Sequence, residues 1–302
     1  MADLVAMAAV EAVRPDYNIY RFDDNNYKVI HFNSTAPRWL PPVRKSEFKY
    51  DNKLDASLSR ARSTVMELGL CNNWKYFCTF TLDQTKYDRS DLGAWHKDFS
   101  QWLLDQRKKY KKLGQDLDLK YLLVPEQHSD GSWHMHGLFG DISPVLISFK
   151  DLHAAGHSVP WKLVSGGYFN WSAYQKKFGF CSFGEIKNKT ATAFYVSKYV
   201  TKQLQSNAIG VGLSLYYPSR GLARKTLHGD IYGHCSPLDQ YLTNHYDFCS
   251  TGMVTAKDGV SWDFALEYME FGYLIPFNVS DPEEAPEVDQ YMEAVQQVLD
   301  GF

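Results

Sequence analysis

Hydrophobic and polar positions fall into a readable order between residues 51 and 205, and into a less regular one on either side. A run from about Asp51 to Leu68 has helical spacing and is closed by Gly69. WKYFCTFTL, Trp74–Leu82, is aromatic and β-branched, which predicts a strand. From Asp91 to Leu113, residues Leu92, Trp95, Phe99, Trp102 and Leu103 recur at helical spacing. Asp91 can cap that helix and Gly114 can end it. Leu119–Gln127 and Trp133–Phe139 read as two strands joined by the turn residues Ser129, Asp130 and Gly131, hence a hairpin. Residues 141–180 are mixed, and Phe180–Ile186 reads as a further strand. Thr190–Gln205 reads as a helix with Thr190 as its cap, and Gly210 and Gly212 follow its end. Outside the first helix, residues 1–70 look irregular, punctuated by Pro37, Pro41 and Pro42. The tail from Ser280 is polar and acidic, with a short amphipathic helix expected from Val288. The pattern predicts an α+β chain built on a central antiparallel sheet. It divides into a partly helical N-terminal extension (1–70), a central domain (71–225) and an acidic C-terminal region (226–302).

Composition adds a core and no membrane. The 302 residues are 44% hydrophobic and 15% aromatic, too apolar for a disordered chain. No apolar run reaches bilayer length, and MADLVAMAAVEAV lacks the basic start and long apolar centre of a signal peptide. The five cysteines (Cys71, Cys78, Cys181, Cys235 and Cys249) form no CxxC pair and suit reduced thiols in a cytoplasm. His228, His234, Cys235, His245 and Cys249 gather late in the chain without a familiar zinc spacing, so packing and surface roles are expected.

Net charge is −3, which taken whole disfavours a nucleic-acid partner, but the sum hides an asymmetry. Residues 1–225 hold 31 Lys and Arg against 21 Asp and Glu. Residues 226–302 hold Lys257 alone against 14 acidic residues, leaving the two segments at +10 and −13. A basic body suits a phosphate-rich partner. Within it, Arg107, Lys108, Lys109, Lys111 and Lys112 at a helix end, and Arg220, Arg224 and Lys225 in a later loop, are candidate contacts to a nucleic-acid backbone.

Two constellations carry chemistry. His134 and His136 are two apart on a strand and share a face, with Met135 on the other. On the preceding strand Glu126 and His128 are also two apart, and the hairpin brings their face beside the histidine pair. Two imidazoles and a carboxylate with open positions suit a divalent cation, Mg²⁺ or Mn²⁺, acting as a Lewis acid. Glu126 is the expected third ligand and His128 the substitute. A third His at 138, as in histidine-triad hydrolases, is replaced by Leu138. An Asp-His pair, as in metallo-β-lactamases, is replaced by Leu138 and Phe139. The second constellation lies on the helix AFYVSKYVTKQ. Tyr195 and Tyr199 are four apart on one face, Lys198 and Lys202 four apart on an adjoining strip, and each tyrosine precedes a lysine by three. A phenol of pKa about 10 is a poor nucleophile until a cation stabilises the phosphate it attacks. The alternative role for both rings is packing in an amphipathic core.

Taken together, FCTFTLD (77–83), PEQHSDGSWHMHGLF (125–139) and FYVSKYVTK (194–202) resemble, in order and spacing, the three motifs of the HUH endonucleases. The doubled tyrosine is similar to that of replication initiators of small single-stranded DNA phages and rolling-circle plasmids in bacteria. The resemblance spans Trp74 to Lys202 and implies an α+β nuclease domain with the tyrosine helix packed near the metal face. It implies His134, His136 and Glu126 or His128 as ligands, Tyr195 and Tyr199 as nucleophiles, and Lys198 or Lys202 at the scissile phosphate. It further implies nicking and rejoining of single-stranded origin DNA, in hairpin form where bases splay against aromatic rings, through a 5′-phosphotyrosine link. The chain has no GxxxxGK[ST] loop, so unwinding would fall to a host helicase and synthesis to a DNA polymerase in a bacterial cytoplasm. A transposase or relaxase keeps the same chemistry. Relaxases, however, place the tyrosine before the histidines, and single-tyrosine transposases are shorter. A DNA-binding protein that has lost catalysis is the reading from another class.

Overall fold

The computed structural model describes residues 16–32, 50–128, 130–202, 214–231, 236–239, 241–245 and 249–255. The expected acidic-tail helix, His234, Cys235, Gly210 and Gly212 lie outside them. The chain divides into two compact units, Met1–Ser46 with Lys225–Ser280, and Glu47–Arg224 with Asp281–Phe302. No described helix is long and apolar enough to cross a membrane.

The first unit is a five-stranded antiparallel sheet. Its strands are β1 (Tyr17–Arg21), β2 (Asn26–Phe32), β10 (Thr226–Ile231), β11 (Asn244–His245) and β12 (Cys249–Thr255), in the order β10-β1-β2-β12-β11, with α7 (Ser236–Asp239) among them. Alternation puts Tyr17, Ile19, Tyr27 and Val29 into one small core with Leu238, Tyr241 and Val254. The irregular reading of the N-terminal segment therefore fails over 17–32. A β1–β2 hairpin forms there, because Asp23 at its tip accepts hydrogen bonds from the backbone N–H groups of Asn25 and Asn26 at 3.0 and 2.8 Å. The N-terminal and acidic C-terminal segments, separate in the sequence reading, supply neighbouring strands of this one sheet.

The second unit holds the motifs. Its elements are α1 (Tyr50–Cys71), β3 (Tyr76–Thr81), α2 (Leu92–Lys112), β4 (Tyr121–Gln127), β5 (Trp133–Phe139), β6 (Ile147–Ser148), α3 (Phe149–Ala154), α4 (Trp161–Ser165), β7 (Phe169–Asn170), α5 (Ser172–Lys177), β8 (Cys181–Glu185), α6 (Lys189–Lys202) and β9 (Tyr217–Pro218). The seven strands run β6-β7-β8-β3-β5-β4-β9, and every pairing is antiparallel. The long helices and strands expected between 51 and 205 are all present. The expected cap of α6 is corrected: Thr190 lies inside the helix, and the side-chain oxygen of Asn188 accepts from the Ala191 N–H at 3.0 Å. The mixed stretch before β8 resolves into short helices and two-residue strands.

Both faces of this sheet are covered. On one, Tyr76, Cys78, Phe80, Met135 and Phe139 pack against Leu92, Trp95, Phe99 and Trp102 of α2 and Tyr174 of α5. Phe80 is the hub, with ring centroids 5.4 Å from Phe99 and 4.5 Å from Tyr174, arrangements that add to the burial of the rings themselves. On the other face, Phe77, Leu122, Val124 and Leu138 meet Leu58, Val65 and Leu68 of α1 and Tyr195, Val196, Tyr199 and Val200 of α6. The two helices approach closely where Gly69 faces Ala193: a Cβ on Gly69 would lie 2.8 Å from that of Ala193. In β5, a Cβ on Gly137 would lie 2.0 Å from the Leu122 carbonyl oxygen of β4. Glycine is the residue that lets the two strands keep their spacing beside His136. Gly137→Ala forces a backbone shift, and we expect it to cost about 3 kcal/mol, read as a lower urea midpoint at unchanged slope.

Candidate active site

β5 is buried along its whole length, so its alternation sorts side chains between two interiors. Trp133, Met135 and Phe139 enter the α2 side; His134, His136 and Leu138 enter the α6 side. A buried imidazole needs partners, and β3, paired to β5, provides them in register. Thr79 stands opposite His136 and Thr81 opposite His134. The Thr79 hydroxyl lies 3.1 Å from Nδ1 of His136, and the Thr81 hydroxyl 2.9 Å from Nδ1 of His134. Both rings are thereby held by one nitrogen, with Nε2 pointing into the site.

β4 brings the acid. Glu126 pairs with His134 across the hairpin, and its Oε2 lies 2.8 Å from Nε2 of His136. That nitrogen is buried and lacks hydrogen-bond alignment. The ring of His128 lies 3.9 Å from that of His134, centroid to centroid. All four residues singled out on the hairpin thus meet on one face. They do not yet close into a finished cage: among the described residues no group of three or more His, Cys, Asp or Glu side chains is arranged to hold a metal ion.

α6 lies across the same face. The ring of Tyr199 stacks on that of His136 at 4.5 Å and 13°. Its hydroxyl is 2.6 Å from that of Tyr195, whose ring meets Phe77 edge-on at 5.9 Å. Tyr195 and Tyr199 are 8% and 1% exposed, so a substrate reaches them only through a local opening. Lys198 occupies the exposed strip of the same helix, while the Lys202 side chain lies outside the described residues.

The other predicted cations fall elsewhere. Arg107, Lys108, Lys109, Lys111 and Lys112 are exposed at the end of α2, the helix on the opposite face of the sheet from the histidines and tyrosines. Arg220 is exposed in the loop after β9, and Arg224 pairs with Glu67 of α1 at 3.5 Å. In the first unit, the Lys225 ammonium lies 5.0 Å from the centre of the Tyr20 ring. Sequence reasoning missed three residues at the site. Thr79 and Thr81 carried a signal, since alternate positions of a strand beside HxH must face the histidines. Arg89 carried none: it stands in an irregular loop, yet its guanidinium reaches Ser132 at 3.1 Å and lies 3.4 Å from Nε2 of His134.

Burial, helped by the neighbouring His128, His136 and Arg89, pushes the His134 pKa from 6.5 down to about 3, against a smaller opposing pull from Glu126. The ring stays neutral, as a ligand nitrogen requires. Between these values the unfolded chain takes up a proton that the folded chain refuses, so stability falls as pH drops from the upper value toward the lower. In the presence of chelator, His134→Asn should remove part of this acid sensitivity. The loss of unfolding free energy between about pH 7 and about pH 4.5 should shrink by on the order of 2 kcal/mol, as measured by urea titration.

Comparison with known proteins places this site in a family context. The model of the replication-associated protein family of the ORF2 type matches residues 75–204, a span that contains Thr79, Thr81, Arg89, the β4–β5 hairpin and both tyrosines. No curated protein and no solved structure matches the chain. The match supports a replication initiator of this kind, acting in DNA replication.

Proposed function

We propose that the protein nicks and rejoins single-stranded origin DNA by tyrosine transesterification, so starting rolling-circle replication. The observation that carries this reading is the meeting of Tyr195 and Tyr199 with His136 on one sheet face, inside the span matched by the replication-associated family. A divalent cation fits the donors. Nε2 of His136 is buried without a hydrogen bond, and a carboxylate oxygen stands 2.8 Å away. Two ligands at right angles on bonds of about 2.1 Å would be about 3 Å apart. His134, His136 and Glu126 would hold it, with His128 as the substitute for Glu126. Thr79 and Thr81 would orient the imidazoles. When bound, the cation supplies Lewis-acid polarisation of the scissile phosphate.

The residues of the chain do the rest. One tyrosine oxygen bonds to phosphorus and the P–O3′ bond breaks. The phenolic proton leaves, and the 3′ oxygen gains a proton to become the hydroxyl that a DNA polymerase extends. The short contact between the two hydroxyls gives the departing proton an acceptor at hand. The second tyrosine, or a free 3′-OH, then attacks the phosphotyrosine and rejoins the strand. Bond energy is conserved throughout, so no nucleoside triphosphate is consumed, and duplex opening falls to a host helicase. Lys198, on the exposed strip of α6, and Lys202 are the cations for the phosphate or the leaving oxygen. The basic clusters at the end of α2 and at Arg220, Arg224 and Lys225 are backbone contacts away from the chemistry.

The protein mixed with Mn²⁺ and a labelled single-stranded origin oligonucleotide should form a covalent adduct that survives denaturation. Tyr195→Phe/Tyr199→Phe should abolish it, and the two single variants assign the order of attack. Thr79→Val should weaken Mn²⁺ affinity about 10- to 100-fold. Salt-sensitive DNA binding with no adduct in the wild type would instead establish a binding protein without catalysis.

A further inference from the structure

Arg89 is tied to the site by its backbone and its side chain. Its carbonyl oxygen accepts from the N–H of Trp133, the first residue of β5, at 3.0 Å. Its terminal nitrogen donates to the Ser132 hydroxyl at 3.1 Å and faces Nε2 of His134 at 3.4 Å. A guanidinium only donates, so Nε2 of His134 is the acceptor and its ring proton sits on Nδ1, toward Thr81. The tautomer is fixed by this network. Nε of Arg89 is buried and makes no hydrogen bond. Among the described residues its guanidinium has no carboxylate within ion-pair distance, whereas nearby Lys86 is paired with Asp83 at 2.9 Å. A cleft of about 380 Å³ opens beside it, lined in part by Thr81, Lys86, Arg89, Gln175 and Phe180, within the size range of small-ligand pockets.

A neutral hydroxyl and a neutral imidazole are weak partners for a guanidinium. A phosphate would take two of its donors in parallel, with roughly twice the strength per bond. We propose that Arg89 is the phosphate-binding arginine of this site, held on the Nε2 lone pair of His134 and released to a DNA phosphate when a cation takes that lone pair. This rests on the reading of the site given above. One lone pair cannot serve both partners, and two positive charges there repel. Arg89 therefore opposes cation binding in the absence of DNA and favours phosphate binding in its presence. By linkage, DNA and cation each tighten the other.

Mn²⁺ affinity of the full chain, measured by electron paramagnetic resonance with and without a short oligothymidylate, tests this. Without oligonucleotide, Arg89→Gln should bind Mn²⁺ about fivefold or more tighter than wild type, and Arg89→Lys, which keeps the charge, should stay close to wild type. The gain in Mn²⁺ affinity on adding oligonucleotide should shrink at least about threefold in Arg89→Gln. Unchanged or weaker Mn²⁺ binding in Arg89→Gln, an undiminished gain, or Arg89→Lys behaving as Arg89→Gln would overturn the role of Arg89. Mn²⁺ binding that disappears in His134→Asn but ignores Arg89→Gln overturns Arg89 alone. A wild-type chain that binds no Mn²⁺ overturns the cation reading and this proposal together.

Discussion

A strand with no solvent face sets the terms for everything at this site. β5 is buried on both sides, so each polar atom it carries must find a partner inside the protein. That constraint explains why β3 carries Thr79 and Thr81 where a core strand would ordinarily use valine or isoleucine. It also explains why the ring of Tyr199, and not an aliphatic side chain, covers His136. The pair of histidines is tolerated only because its neighbours are polar at one atom and apolar elsewhere.

The same constraint shapes the electrostatics. The buried histidine face penalises positive charge, which keeps His134 neutral and its lone pair available. Glu126 sits at the margin of this face with part of its side chain exposed, so the negative charge enters where water still helps to solvate it. A neutral pair of nitrogens inside and a carboxylate at the edge is an arrangement that recruits a cation from solvent more readily than it recruits a proton.

Much of this was legible in the sequence because it depends on periodicity. The two-residue repeat put His134 with His136 and Glu126 with His128. The helical repeat put Tyr195 with Tyr199 and turned Trp95, Phe99 and Trp102 inward, as the α2 core confirms. Features set by irregular backbone or distant pairing were not legible. Arg89 reaches His134 from a loop whose course no local pattern predicts. The β1–β2 hairpin had an acidic and amide turn, Asp23 to Asn26, but its sheet is completed by strands more than 190 residues further along. Asn188 outranked Thr190 as the cap because helix α6 begins one residue sooner than the hydrophobic pattern does. Net charge, the weakest guide when summed, became informative once divided along the chain.

The contact of Gly69 with Ala193 reaches further than packing. Ala193 precedes Tyr195 by two residues on α6, so the gap between α1 and α6 fixes how far both phenolic oxygens stand from the histidine-bearing strand. Residue 69 works as a spacer of zero thickness: any larger side chain there would lift the tyrosine helix as a rigid body. A lineage could thus retune the reach of the tyrosine pair by exchanging methyl groups on the far side of the helix, leaving every reacting group unchanged.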